Sequence, residues 1–259
     1  MIKKEIKGLV TCAHTFFGMY YYSFNALEKE LDMHPKNHID CLIIGPGYDG
    51  EITGLASDVD NYIRTYQPFE LANAMRNAGI DSFVIDVMDI NQDILSEIKK
   101  KPSQIKIGRG FWRTHYQRCL DEEDDSIQYY ESFFPDCTLS EDRGHKRVQI
   151  PENVMDSIRT ERRDIITDGV PGNMYDVVVG TTVRGYYFMS CFSNPELSGE
   201  CKRQRENMLA SVRAGGYLIT TEGPSSGNGW ELLEFKSVMS GSVHNESAGL
   251  YRKTEADNA

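Results

Sequence analysis

The sequence predicts an α/β fold: a mainly parallel sheet with helices on both faces and an antiparallel C-terminal edge. Three observations predict it. Apolar strand candidates alternate with helix-period segments through most of the chain. The first of these strands, ending in Leu42-Ile43-Ile44, runs straight into Gly45, Gly47 and Gly50. The last two candidates, at residues 231–238 and 248–252, have no long helix between them.

Each element has its own signal. Phe16, Tyr20, Phe24, Leu27 and Leu31 recur at three- and four-residue steps, which predicts one or two helices over residues 9–31. That segment packs on the sheet or forms a lid over the site, with Tyr20 to Tyr22 available to line it. Residues 39–45 are the first strand, and a helix is expected from about Glu51. Residues 68–77 read as a helix stopped by Gly79. Ser-Phe-Val-Ile-Asp-Val, residues 82–87, is the second strand, and residues 93–101 are a short helix ended by Pro102. Residues 106–120 are aromatic and basic, and 121–147 look irregular. Short strands are expected near 148–150 and within 158–166. Tyr-Asp-Val-Val-Val-Gly, residues 175–180, reads as a buried strand. A helix over 195–213, a break at Gly215-Gly216 and a strand over 217–221 follow. The expected organisation is an N-terminal helical segment (1–38), a main domain (39–253) and a polar tail (254–259).

Bulk properties bound the function. The chain has 259 residues, 40% of them hydrophobic, enough for a sizeable core. Its formal net charge of -11 argues against binding to a nucleic-acid backbone. Six cysteines lie without Cys-x-x-Cys pairing and read as reduced thiols, so a cytoplasmic location is expected. No stretch reaches ~18 uninterrupted apolar residues, and no membrane span is expected. No metal site is expected: His34 and His38 are spaced for one helix face, but Pro35 opposes a helix there.

Gly45-Pro46-Gly47-Tyr48-Asp49-Gly50 satisfies G-x-G-x-x-G, the pattern of a strand-to-helix turn that brings backbone N–H groups to a ligand. A dinucleotide enzyme places its ribose-binding acid ~20 residues further on. Here Asp86 lies 36 residues after Gly50 (86 − 50) and Asp89 lies 39 after it (89 − 50). Either carboxylate, with Val87 between them, could hold the two vicinal hydroxyls of a ribose; Asp86 ends the predicted strand more cleanly, and Asp89 could instead cap the next helix. Asp164-Ile165 closes the following apolar stretch, where an acid could accept from an adenine amino group while Ile165 packs on the ring.

The ordered set of glycine turn, acid after the second strand, Tyr-Asp strand (175–183) and Arg-Ala-Gly-Gly-Tyr-Leu-Ile (213–219) resembles the class I S-adenosylmethionine-dependent methyltransferases over about residues 39–253. The resemblance implies a Rossmann-like, seven-stranded sheet and S-adenosyl-L-methionine as cofactor. It implies cofactor contacts from Gly45, Pro46, Gly47, Tyr48, Gly50, Glu51, Asp86, Val87, Asp89, Asp164, Ile165 and Thr181. A narrower similarity to the chemotaxis-receptor methyltransferases rests on Asp89-Ile90 with Leu95, on Phe111 to Tyr116, and on Gly249 to Lys253. That family has Cys-Arg-Asn after its fourth strand; this chain has Gly180-Thr181-Thr182 and then Tyr186-Tyr187. Tyr186 is the matching substrate-side position and the candidate catalytic residue, with Arg113, Tyr116 and Thr182 facing the acceptor.

The expected function is methyl transfer to a small molecule, or less readily to a protein side chain; a homodimer is compatible with it. An inactive cofactor-binding relative and a nicotinamide oxidoreductase are the alternatives.

Overall fold

The computed structural model describes residues 17–47, 65–99, 104–107, 126–142, 145–165, 167–171, 174–181, 198–221, 223–224, 229–239 and 245–254. Its centre is a seven-stranded sheet. In chain order the strands are β1 (Ile39–Ile44), β2 (Phe83–Asp89), β6 (Ile158–Arg162), β7 (Tyr175–Gly180), β8 (Val212–Thr220), β9 (Trp230–Met239) and β10 (Asn245–Lys253). Their spatial order is β6-β2-β1-β7-β8-β10-β9. The first five are parallel to one another; β10 runs antiparallel to both β8 and β9. The Rossmann-like fold with its antiparallel edge is therefore as the sequence predicts.

Alternation along the central strands fills both faces. Ile39, Cys41, Ile43, Ile85, Val87, Val177 and Val179 enter one buried cluster. It includes Phe24, Leu27 and Leu31 of α1 (Tyr21–Met33) and Phe69, Ala72 and Met75 of α2 (Gln67–Asn77). Leu42, Ile44, Met88, Val178 and Leu218 enter the other, with Cys201 and Met208 of α6 (Ser198–Ala210). A strand buried on both faces reads as an unbroken apolar run, which is why 175–180 was legible. Helix α1 lies against α2, β9 and β10.

Between β2 and β6 the chain builds α3 (Gln92–Lys99), then β3 (Gln104–Ile107), α4 (Ser126–Ser132), β4 (Thr138–Asp142) and β5 (His145–Gln149), then α5 (Glu152–Ser157). Strands β3, β5 and β4 form a separate antiparallel sheet. This corrects the expectation of an irregular 121–147. Tyr129, Tyr130, Phe133 and Phe134 are buried there, and the Lys146 ammonium donates to the Tyr130 and Glu131 carbonyls at 3.0 Å each.

A second correction concerns Gly215-Gly216. The sequence reads them as a break before a strand, but both lie inside β8. Between the register pairs Tyr175–Val212 and Val177–Tyr217, β8 advances five residues while β7 advances two. The glycines absorb the excess: Gly215 has φ +70°, and a Cβ on Gly216 would meet the Asp176 carbonyl at 2.8 Å.

Candidate functional site

The parallel strands end together, and the chain leaves β1 for opposite sides: towards β2 and β6 first, then towards β7. That reversal is the topological switch point, where such sheets bind ligands. Four strand ends meet there.

At β1, Gly45 (φ +61°) and Gly47 (φ +72°) take left-handed backbone that other residues adopt at a cost. The Gly45 N–H donates to the Met88 carbonyl at 2.8 Å, and the Thr65 hydroxyl donates to the Gly47 carbonyl at 3.3 Å. Pro46 is buried between the two glycines.

At β2 the structure separates the two candidate acids. The strand runs to Asp89, two residues beyond its predicted end at Val87, so Asp89 and not Asp86 closes it. Ile44 pairs with Met88, which sets Gly45 and Asp89 side by side. Asp86 pairs with Leu42 in mid-strand and accepts from the Tyr175 hydroxyl at 3.3 Å. Burial pushes the Asp86 carboxyl up, against the Tyr175 bond. Val87 faces the larger core. Asp89 is buried, and burial raises its carboxyl to about 6, opposed by the Asn91 and Ile90 N–H groups. The Asn91 N–H donates to Asp89 Oδ1 at 2.7 Å, and the Asn91 side chain in turn accepts from the Asp93 N–H at 2.9 Å at the start of α3. Asp89 thus shapes the turn as well as closing the strand.

At β6, the Arg163 N–H donates to the Asp89 carbonyl at 3.0 Å, tying the segment before Asp164 to the end of β2. Asp164 starts a turn: its carbonyl accepts from the Asp168 N–H at 2.7 Å and its N–H donates to Asp168 Oδ2 at 2.9 Å. Ile165 is buried with Ile44 and Met88.

At β7, Thr181 follows the strand directly. Ile43 pairs with Val179, so Thr181 and Gly45 stand two residues beyond a shared register pair. Thr181 is buried; its hydroxyl accepts from Gln67 Nε2 at 2.8 Å and its carbonyl from the Thr221 hydroxyl at 2.9 Å. Gln67 is 2% exposed, and among the described residues its Oε1 has no hydrogen-bond partner. An acceptor buried without a donor costs ~1–3 kcal/mol.

The structure therefore brings Gly45, Pro46, Gly47, Asp89, Asp164, Ile165 and Thr181 to neighbouring strand ends and leaves Asp86 and Val87 within β2. Tyr48, Gly50, Glu51, Arg113, Tyr116, Thr182 and Tyr186 lie outside the described residues, as does the helix expected from Glu51. Sequence reasoning passed over Gln67 and Thr65. Gln67 precedes Pro68, a helix-start signal, which accounts for its position but not for its amide.

Fold and site together define a doubly wound α/β protein with a glycine turn, a strand-closing acid and a buried hydroxyl–amide pair around its switch point. No family model matches the chain, and no curated protein matches it. Solved structures similar to it include TrmN from Thermus thermophilus (12% identity, TM-score 0.38, covering 88% of this chain and 48% of that one). Another is precorrin-6y C5,15-methyltransferase from Geobacter metallireducens (9%, TM-score 0.37, 90% and 86%). A third is a TehB-like S-adenosylmethionine-dependent methyltransferase from Corynebacterium glutamicum (10%, TM-score 0.35, 98% and 96%). This chain spans about half the length of the TrmN chain.

Proposed function

We propose that the protein is an S-adenosylmethionine-dependent methyltransferase. The observation that carries this reading is the order of the four strand ends: Asp164-Ile165, Asp89, Gly45 to Gly47, then Thr181 with Gln67. Neighbouring strands lie ~4.8 Å apart, so these ends extend over about 14 Å, the scale of a nucleoside carrying an amino-acid arm. The donor set fits such a ligand in sequence. Ile165 offers an apolar surface and Asp164 an acceptor for an adenine. Asp89 offers a carboxylate to two ribose hydroxyls. The glycine turn lets the arm approach the backbone, and Gln67 Oε1, without a partner among the described residues, wants a donor beyond it.

Bound there, S-adenosylmethionine supplies a methyl group on a sulfonium leaving group. The protein's work is then alignment and exclusion of water rather than covalent chemistry. Asp89 holds the ribose best when ionised, which its raised pKa permits above about pH 6. Thr182, Tyr186, Arg113 and Tyr116 are proposed for the acceptor side, with Tyr186 as the candidate catalytic residue. A small-molecule acceptor is favoured over a protein carboxylate, because the Arg-Asn pair of the receptor-modifying enzymes is replaced by Thr181-Thr182. A cytoplasmic protein, as a monomer or homodimer, is consistent with this. No helix among the described residues is long and apolar enough to cross a membrane.

Calorimetry with S-adenosylhomocysteine, with NADH as control, tests the reading. One saturable site for the S-adenosyl compound and none for NADH is expected. Binding of NADH alone would replace it with the oxidoreductase reading. Binding of S-adenosylhomocysteine without methyl transfer to any acceptor in a broad panel would leave a cofactor-binding protein without catalysis.

A further inference from the structure

Helix α2 carries three polar residues at i, i+3 and i+6, all buried: Gln67, Glu70 and Asn73. Two have evident structural partners. Glu70 Oε1 accepts from the Gly18 N–H at 2.8 Å and the Tyr129 hydroxyl at 3.1 Å, and Asn73 Oδ1 accepts from the Phe134 N–H at 2.9 Å, its Nδ2 having no partner among the described residues. Gln67 shares that half-satisfied state with Asn73 and differs from it in place: Asn73 lies two turns along the helix against Phe134, away from the strand ends. Gln67 opens the helix at the switch point, two residues after Thr65, whose hydroxyl holds the Gly47 carbonyl. One prong of its amide is pinned on Thr181 at the end of β7, and the other has no partner among the described residues. Exchanging amide N and O would move the deficit to the nitrogen, not remove it, since the Thr181 hydroxyl can serve either prong.

Resting on the methyltransferase reading, we propose that Gln67 is a cofactor-binding residue: its Oε1 accepts a hydrogen bond from the α-ammonium of the methionyl arm, while Thr181 Oγ1 holds the amide in place. The sheet order selects that group. Asp89 stands on β2 and Thr181 on β7, on opposite sides of β1, so a ligand with its ribose at Asp89 presents its amino-acid arm to Gln67. Of that arm's two polar groups, only the ammonium donates. A neutral acceptor in a buried site suits it, since the hydrogen bond is charge-assisted and desolvates no second ion.

The test is calorimetric titration of the full chain and of two variants. The probes are S-adenosylhomocysteine, which has the ammonium, and 5′-methylthioadenosine, which lacks the whole amino-acid end. Gln67→Leu is expected to weaken S-adenosylhomocysteine about 10- to 100-fold and to leave methylthioadenosine within about 2-fold. Gln67→Glu, whose carboxylate accepts from the Thr181 hydroxyl where the amide donated to it, and which keeps an acceptor towards the arm while adding negative charge, is expected to hold or tighten S-adenosylhomocysteine. Equal losses for both probes in Gln67→Leu would overturn the proposal in favour of a purely structural amide. A loss in Gln67→Glu larger than in Gln67→Leu would overturn it too, since the amide would then be donating to the arm's carboxylate. If Gln67→Leu does not fold or methylthioadenosine binds too weakly to titrate, Gln67→Glu is read against the native chain alone: S-adenosylhomocysteine held or tightened supports the assignment, and S-adenosylhomocysteine weakened overturns it. A native chain that binds S-adenosylhomocysteine while Gln67→Leu loses nothing removes only this assignment; a native chain that binds neither probe removes the methyltransferase reading with it.

Discussion

The Gly45 N–H reaches the Met88 carbonyl at 2.8 Å, so the turn after β1 is fixed against the residue that precedes Asp89. The glycine turn and the acid are thus neighbours through one backbone bond. The neighbouring bond, from the Arg163 N–H to the Asp89 carbonyl at 3.0 Å, extends the row to Asp164. These links make the proposed nucleoside site a property of the sheet's edge rather than of any one loop.

The two candidate acids are expected to behave differently. Asp89→Ala should weaken S-adenosylhomocysteine about 10-fold or more, as loss of a charge-assisted bond worth ~1.5–3 kcal/mol requires. Asp86→Ala, in mid-strand under Tyr175, should change it by less than about 3-fold. Calorimetry of both variants checks this, and the reverse ranking contradicts it.

Binding should also depend on pH through Asp89. Its carboxyl is raised to about 6 by burial, so below that pH the folded apo-protein carries it protonated. A protonated acid accepts poorly from a ribose, and affinity should fall as pH drops from 7 to 5. Asp89→Asn should flatten the profile. A native profile flat over that range would count against the ribose role.

Glu70 makes a prediction about stability. Burial raises its carboxyl to about 7, against the bonds from Gly18 and Tyr129. The folded state therefore holds the proton more tightly than the unfolded chain. The resulting cost of ionisation is absent below about pH 4.5 and complete above about pH 7, on the order of 3 kcal/mol. Glu70→Gln keeps the acceptor and removes the charge. It should stabilise the protein at pH 8 and not at pH 4, as read by denaturant unfolding at both values. Equal effects at both would show that Glu70 ionises freely.

Gly216→Ala tests the β7–β8 irregularity. The added methyl would meet the Asp176 carbonyl at 2.8 Å and the Arg213 carbonyl at 3.0 Å, both backbone atoms. A loss of about 1–3 kcal/mol is expected in urea unfolding, in the range of overpacked sites. A neutral result would mean that β8 shifts without cost.

What the sequence made legible follows from where its signals arise. Strands buried on both faces, such as Tyr175–Gly180, write themselves as continuous apolar runs. The segment from Ser126 to Gln149 does not: its helix is seven residues long and its strands pair in a small sheet of their own, so neither period is sustained. Glycines in β8 read as punctuation because the bulge that needs them exists only once β7 is beside them. Asp86 looked like a strand end because the apolar run thins after Val87, yet pairing with β6 carries β2 on to Asp89. Gln67 was invisible as a site residue, since what orients its amide is Thr181, 114 positions away.

A crystal structure with S-adenosylhomocysteine tests the central claim most directly. The account predicts the adenine beside Ile165, the ribose hydroxyls within hydrogen-bond distance of Asp89, and the amino-acid arm passing Gly47 towards Thr181. A nucleoside bound away from these four strand ends, or a ribose held by Asp86, would contradict it.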